Sequence, residues 1–261
     1  MNRSDTGQIF VRKLSDYALN SQAVNHPYLH AMSRCDFPDV DFAFKDFAFQ
    51  YGLYSAGFTR YVSAIIDQLS SPAHRQILKS NLEEEQGHAH DLHLPAEVMA
   101  SVDGVPHAKL FRRFQEALGV DTDYRNKTEK SQTAVLWGRQ FLRLCETDEY
   151  VGIGAIGIGT ELIVARIYNQ ILQGLEMQGK LSRMEHVFFD LHSECDEEHA
   201  AQIELIAADL ANSDAACEQI EFGARMAIFL RTLFWDKMFQ RAMNFSDLTT
   251  TRSEEVSAVG Y

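Results

Sequence analysis

The segment LHSECDEEHA sets His192, Asp196 and His199 at positions i, i+4 and i+7. At roughly 100° per residue these fall at about 0°, 40° and −20°, one stripe on one helix face. Phe188 and Ile203 continue the stripe on either side. It is therefore apolar, then polar for two turns, then apolar again, and a solvated face is not normally bracketed in this way. Buried charge is costly unless something compensates it, and a cation enclosed by other helices would do so. The alternative is a surface salt-bridge patch, since Glu194, Glu197 and Glu198 lie close by.

The rest of the chain reads as more helix. There are 5 prolines in 261 residues, and long stretches run without Gly or Pro. No period-two alternation marks a strand. Helices are expected over 6–22, 27–35, 39–69, 72–87, 106–118, 128–147, 148–177, 181–211 and 214–243. Ser71-Pro72 is a helix start, an N-cap followed by Pro at the first helical position. Gly119 fits a C-terminal stop. Residues 88–106, with Pro95, Gly104 and Pro106, read as an irregular insertion, and 246–261 as a polar tail. The expectation is one all-α domain over 1–245 carrying that insertion.

Composition narrows the class. A 46% hydrophobic content allows a sizeable core, and 24 basic against 37 acidic residues give a net charge of −13. That argues against a nucleic-acid surface, which needs a basic face, and against an anionic membrane. No uninterrupted apolar run near twenty residues stands out as a transmembrane helix, and MNRSDTGQIF lacks a secretory apolar segment. Cys35, Cys145, Cys195 and Cys217 are far apart and form no CxxC, so reduced thiols and a cytoplasmic location are expected. The C-terminal amphipathic helix, with Phe229, Leu233, Phe234 and Phe239, either covers the core or pairs with a second chain as a homodimer.

Three further signals involve ligand-type side chains. Glu161 is a lone carboxylate in VGIGAIGIGTELIVARIY, with no cation at i±3 or i±4; Arg166, at i+5, points away. It is either ligated or paired with a group on another helix. Gly157 and Gly154, one and two turns earlier, leave room for substrate or for a neighbouring helix. In NLEEEQGHAHDLH, Glu85 shares the inner face marked by Ile77 and Leu78, and Glu84 does so more loosely; a solvated acidic run is the bland alternative. His107 opens the helix of HAKLFRRFQEALG, where capping or packing competes with ligation, and His88, His90 and His93 are rivals in the insertion. Imidazole with carboxylate suits Fe, Mn or Zn, and thiolates are absent from the set.

With these residues the chain resembles the heme-oxygenase-like di-iron oxidases and oxygenases, most of all the CADD-like subgroup of chlamydial and cyanobacterial members. The matching positions are Glu85, His107 with Leu110-Phe111, Glu161, and His192, Asp196 and His199, with weaker counterparts in His26-Pro27-Tyr28 and in Phe47 to Val62. The departure is the insertion between Glu85 and His107, which leaves His88 as the alternative ligand.

The resemblance implies a single-domain seven-helix bundle without haem, of the architecture shared by TenA-like and CADD-like proteins. It implies two Fe(II) ions, or an Fe/Mn pair, held by Glu85, His107, Glu161, His192, Asp196 and His199, with O2 as cosubstrate. The substrate would be a small amino acid or fatty acid, and the outcome C–C cleavage, desaturation, N-oxygenation or nitrile formation in a biosynthetic setting. In the CADD-like branch a tyrosine of the protein can itself be consumed, for which Tyr28 and Tyr51 are the candidates here. Arg60 is a candidate for holding a substrate carboxylate, against a structural ion pair. The competing classes are a metal-free TenA- or PqqC-like enzyme, an iron-storage protein, and a non-enzymatic interaction protein.

Overall fold

The computed structural model describes residues 3–87 and 96–244, apart from the side chains of 3–5, 96–97 and 193–198. No strand occurs among the described residues. The chain runs through α1 (Arg3–Leu19), α2 (Pro27–Ser33), α3 (Val40–Ser55), α4 (Phe58–Gln68), α5 (Pro72–Glu85), α6 (Ala96–Val102) and α7 (His107–Ala117). It continues through α8 (Thr122–Lys127), α9 (Gln132–Thr147), α10 (Glu149–Ile153), a π-helical segment (Gly154–Glu161), α11 (Leu162–Gln178), α12 (Arg183–Leu210) and α13 (Asp214–Met243). The all-α bundle is as expected, but seven helices is too few, because short helices and breaks subdivide it.

Local chemistry explains the boundaries. Ser71 caps α5, its hydroxyl accepting from the His74 amide at 3.4 Å, with Pro72 in the first turn. Asp148 separates α9 from α10 by accepting from the amides of Tyr150 and Val151 at 2.9 and 2.8 Å. Gly179, at φ 65°, ends α11 in the left-handed conformation that glycine takes without strain. Ser182 and Glu185 form a reciprocal capping box at the start of α12.

Three expectations need correction. The single helix over 39–69 breaks at Ala56–Gly57, giving α3 and α4. Part of the insertion is regular, since Ala96–Val102 is α6 and buries Val98 and Val102. Residues 119–127, outside any expected helix, contain the short helix α8. Its Asp121 cap and the contact of Tyr124 with Phe49, at 5.7 Å between ring centroids, account for it.

The core is unusually aromatic. Tyr51, Tyr54, Trp137, Phe234 and Trp235 meet in the centre of the bundle, with Tyr54 stacked on Trp137 at 3.7 Å between centroids. Phe234 is fully buried, whereas Phe229 and Leu233 on the opposite side of α13 are exposed. At the far end of α13, Arg241 clasps the buried Asp46 of α3 with two hydrogen bonds of 2.6 and 2.8 Å. The run Glu149–Gln178 is long and apolar enough to cross a membrane, but 78% of its apolar window is buried inside the bundle, as in a core helix.

Gly154 and Gly157 do not make a cavity. A Cβ on Gly154 would strike the backbone of Ile220 in α13, and one on Gly157 the side chain of Ile203 in α12. Gly223 of α13 returns the contact, facing the Val151 carbonyl. The glycines therefore let α12 and α13 approach the π segment, and their role as room for substrate is withdrawn.

Candidate metal centre

Helices α5, α7 and α12 bring Glu85, His107 and His192 together, with one ligand atom from each lying within 4.8 Å of the others. His107 Nδ1 is 3.1 Å from Glu85 Oε1, and His192 Nε2 is 3.6 Å from the same oxygen. The two imidazole rings meet edge to face at 4.6 Å between centroids. All three side chains are buried. His192 Nδ1 donates to the Phe188 carbonyl one turn earlier at 2.6 Å. That bond fixes the tautomer and leaves the Nε2 lone pair facing Glu85, as in metal-ligating histidines whose outer nitrogen is held by a carbonyl.

Glu161 enters from the C-terminal end of the π segment and is buried. Burial pushes its carboxyl up to about 7 against the opposing charges of His199, His192 and Arg231, and the neighbouring Glu85 adds to the rise. Glu85 goes the other way: burial opposes its ionisation, but the charges and hydrogen bonds of His107 and His192 outweigh this and hold the carboxyl below the usual range. The His107 pKa is lowered, by burial above all and against the pull of Glu85.

His199 of α12 pairs with Glu84, Nε2 to Oε2 at 2.8 Å. Sequence reasoning had placed Glu84 near the inner face without assigning it a partner. The Asp196 side chain and all of His88, His90 and His93 lie outside the described residues. Where the sequence left His107 and His88 open, His107 is the one seen facing Glu85.

A cavity of about 240 Å³ adjoins these groups. Its polar end is formed by Glu85, His107, Glu161 and His192, and its walls include Tyr51, Tyr54, Phe111, Thr160, Tyr168 and Phe188. Tyr51 donates to or accepts from Tyr168 at 2.8 Å between hydroxyls, and the Tyr168 ring meets His192 edge to face at 5.6 Å. Tyr28 is fully buried but absent from the cavity wall; it stacks on Trp235 at 5.7 Å, and Tyr51 lies against the same indole at 6.2 Å. Arg60 and Arg166 are exposed, and neither lines the cavity. Sequence reasoning missed Tyr168 and Arg231. The signal for Arg231 was a lone cation on the stripe that carries Ala227, Phe234 and Trp235.

The donor set fits iron. Two buried carboxylates and two or more imidazoles, one with an orienting second bond, suit a divalent first-row ion with open coordination positions, and a cation would relieve the burial of Glu161.

A family model described as an iron-containing redox enzyme matches residues 45–232. The "4-aminobenzoate synthase" of Chlamydia muridarum is 24% identical over 208 residues, covering 79% of this chain and 80% of that protein. Its counterpart in Chlamydia trachomatis is 27% identical over 171 residues, covering 65% and 67%. Among solved structures, a CADD-like protein of unknown function from Nostoc punctiforme superposes with a TM-score of 0.71 at 18% identity, covering 91% of this chain and 99% of that one. A TenA homologue from Pseudomonas syringae pv. tomato gives 0.69 at 11% identity, covering 88% and 91%. These two share the fold. The family match takes in every candidate ligand from Glu85 to His199, and the chain belongs to this family of iron-containing redox enzymes with a heme-oxygenase-like fold.

Proposed function

We propose that the protein is a non-haem di-iron oxidase or oxygenase that uses O2 to oxidise a small amino acid or related carboxylate. The observation that carries this reading is the convergence of Glu85, His107 and His192 within 4.8 Å, at the polar end of a cavity with otherwise largely apolar walls. Glu161, His199 and Asp196 complete the proposed ligand set. Iron bound there would supply the redox equivalents and the activation of O2. The chain's own residues do the rest. His192, locked by the Phe188 carbonyl, keeps one donor atom directed inward. Phe111 and Phe188 exclude water, and the carboxylates neutralise the metal charge and leave room for a small ligand.

The test is anaerobic loading with Fe(II), then exposure to O2 with a panel of amino acids and fatty acids. Uptake above the iron-only control is expected for at least one of them. Uptake equal to the control for all would contradict the proposal and favour an iron-storage role. Failure to retain iron at all would favour a metal-free enzyme.

A second reading has support from Tyr51. Its hydroxyl is bonded to Tyr168, which touches His192, and the chlamydial relatives are named 4-aminobenzoate synthases. In this reading the oxidised substrate is Tyr51 or Tyr28 of the chain itself. Intact-mass measurement after one aerobic turnover without added substrate separates the two readings. A mass loss abolished by Tyr51→Phe or Tyr28→Phe would support self-consumption, and an unchanged mass would exclude it.

A further inference from the structure

Glu84 joins solvent to the candidate metal centre on a side away from the cavity. Its side chain is 29% exposed, whereas the His199 imidazole bonded to it is 7% exposed. Neither residue lines the cavity. The cavity opens instead at Ala56, Ala108 and Arg112, the exposed members of its wall, with Arg125 half-buried beside them. Arg112 is held only loosely by the exposed Glu116, at 3.9 Å. Guanidinium groups at that mouth oppose the passage of a small divalent cation, and a carboxylate at the Glu84 side attracts one. On α5 the nearest cation, Lys79, is five residues before Glu84 and about 140° round the helix.

Asn81 stands behind Glu84. It is 5% exposed, and neither atom of its carboxamide has a hydrogen-bond partner. Two contacts fix its place: His74 with Asp209 at 3.4 Å, and Glu84 with His199 at 2.8 Å. These pairs lie ten residues apart on each helix and in opposite order, so α5 and α12 run antiparallel along one seam. Asn81, buried and three residues before Glu84, falls in that seam. Helical side chains lean toward the N-terminus of their helix, which brings the Glu84 carboxylate back over Asn81. A buried carboxamide without partners is destabilising, and native proteins keep few of them. Its oxygen is a hard donor of the kind that a passing divalent ion accepts. One carboxylate and one carboxamide are too few donors to retain the ion, so the pair suits transit.

We propose that divalent metal reaches the centre through the α5–α12 seam, with Glu84 as the entry ligand and Asn81 as the oxygen donor behind it. His199 is the first of the proposed ligands on this path. The cavity, with its arginines at the mouth, is left to the organic substrate, so metal and substrate have separate doors. This rests on the metal-centre reading, but not on the reaction assigned to it.

The test is stopped-flow mixing of metal-free protein with Co(II), whose visible absorption reports occupation of the centre, followed by release into excess chelator. The variants are Glu84→Gln, Asn81→Leu and, at the cavity mouth, Ala56→Trp. A group that acts only along the path changes the barrier in both directions, so its loss slows uptake and release by one factor and leaves Kd unchanged. Glu84→Gln and Asn81→Leu should each slow both rates about tenfold, with the final Co(II) content of wild type, and Ala56→Trp should alter neither rate. Added salt should slow uptake by wild type toward the Glu84→Gln rate, because it screens the attraction of the exposed carboxylate. Should Asn81→Leu fail to fold, Asn81→Ala takes its place. A weaker Kd with unchanged uptake in Glu84→Gln would make Glu84 a resident ligand or a support of His199, and would overturn the proposal. Uptake slowed by Ala56→Trp and not by the seam variants would place entry at the cavity and overturn it equally. Wild-type uptake with unmoved rates in both seam variants sinks the route alone, whereas no Co(II) uptake by wild type sinks the metal centre itself.

Discussion

At the scale of single residues, Glu161 concentrates the physics of the site. Its carboxyl, pushed up to about 7 by burial, ionises in the unfolded chain at its ordinary value of 4.5. Between those values the unfolded state has released a proton that the folded state keeps, so stability falls as pH rises through this window and the loss is complete above it. Glu161→Gln in the metal-free protein should therefore raise stability at about pH 8 by roughly 2–3 kcal/mol and leave it unchanged near pH 4, as read by urea melts. Bound metal reverses the sign, because it takes the ionised carboxylate. Iron affinity of the wild type should accordingly rise with pH up to about neutrality, and the Gln variant should lose that slope. His192→Ala addresses a different property. It removes the inward Nε2 and should strip the iron while leaving the helix content by circular dichroism near wild type.

Much of this was legible residue by residue. The stripe of His192 and His199, bracketed by Phe188 and Ile203, gave direction on its own helix, and the lone Glu161 in an apolar run announced a buried partner. Pairings across helices were not legible. Nothing in the sequence tied His199 to Glu84 rather than to a metal neighbour, because the relative rotation of α5 and α12 decides it. Arg231, a single cation on an apolar stripe, looks like ordinary patterning until its surroundings are known.

At the scale of elements, the π segment Gly154–Glu161 is the part that helical periodicity misjudged. With α spacing, Gly154, Gly157 and Glu161 share a side. The wider i→i+5 turn breaks that register, so Gly154 meets α13, Gly157 meets α12, and Glu161 turns to the cavity. Gly154→Ala should destabilise the protein by about 1–3 kcal/mol through overpacking against the Ile220 backbone, measured by the midpoint of a urea transition. A change below about 0.5 kcal/mol would mean that α13 yields freely and that the glycine stripe is not what sets the contact. The α3–α4 break at Gly57 and the short α8 were invisible for a related reason. The break meets the ring of Tyr61 one turn on, and α8, though capped locally by Asp121, is held against the bundle by Phe49, a contact that local sequence does not show.

At the scale of the whole molecule, the bundle is closed by α13, which runs from the π segment past the aromatic centre to the Asp46–Arg241 pair. Asp46 is 1% exposed and its partner partly covered, so removing one member leaves an uncompensated buried charge. Arg241→Met should lower stability by about 3 kcal/mol, and Asp46→Asn with Arg241→Met should recover part of it. Measured together by denaturant unfolding, the pair reports whether the C-terminal helix is docked by this clasp. The all-helical architecture itself was readable from the scarcity of Pro and Gly and the absence of alternation, whereas the number of helices was not, because breaks inside long helical stretches leave only weak marks.

The most direct test of the account is iron quantification after anaerobic Fe(II) loading and desalting, in wild type and in Glu85→Ala, Glu161→Ala and His192→Ala. Two irons per chain in wild type, with a large loss in each variant that remains folded, is the predicted result. Less than one iron per chain in wild type, or full retention by the variants, would contradict a metal centre at these residues.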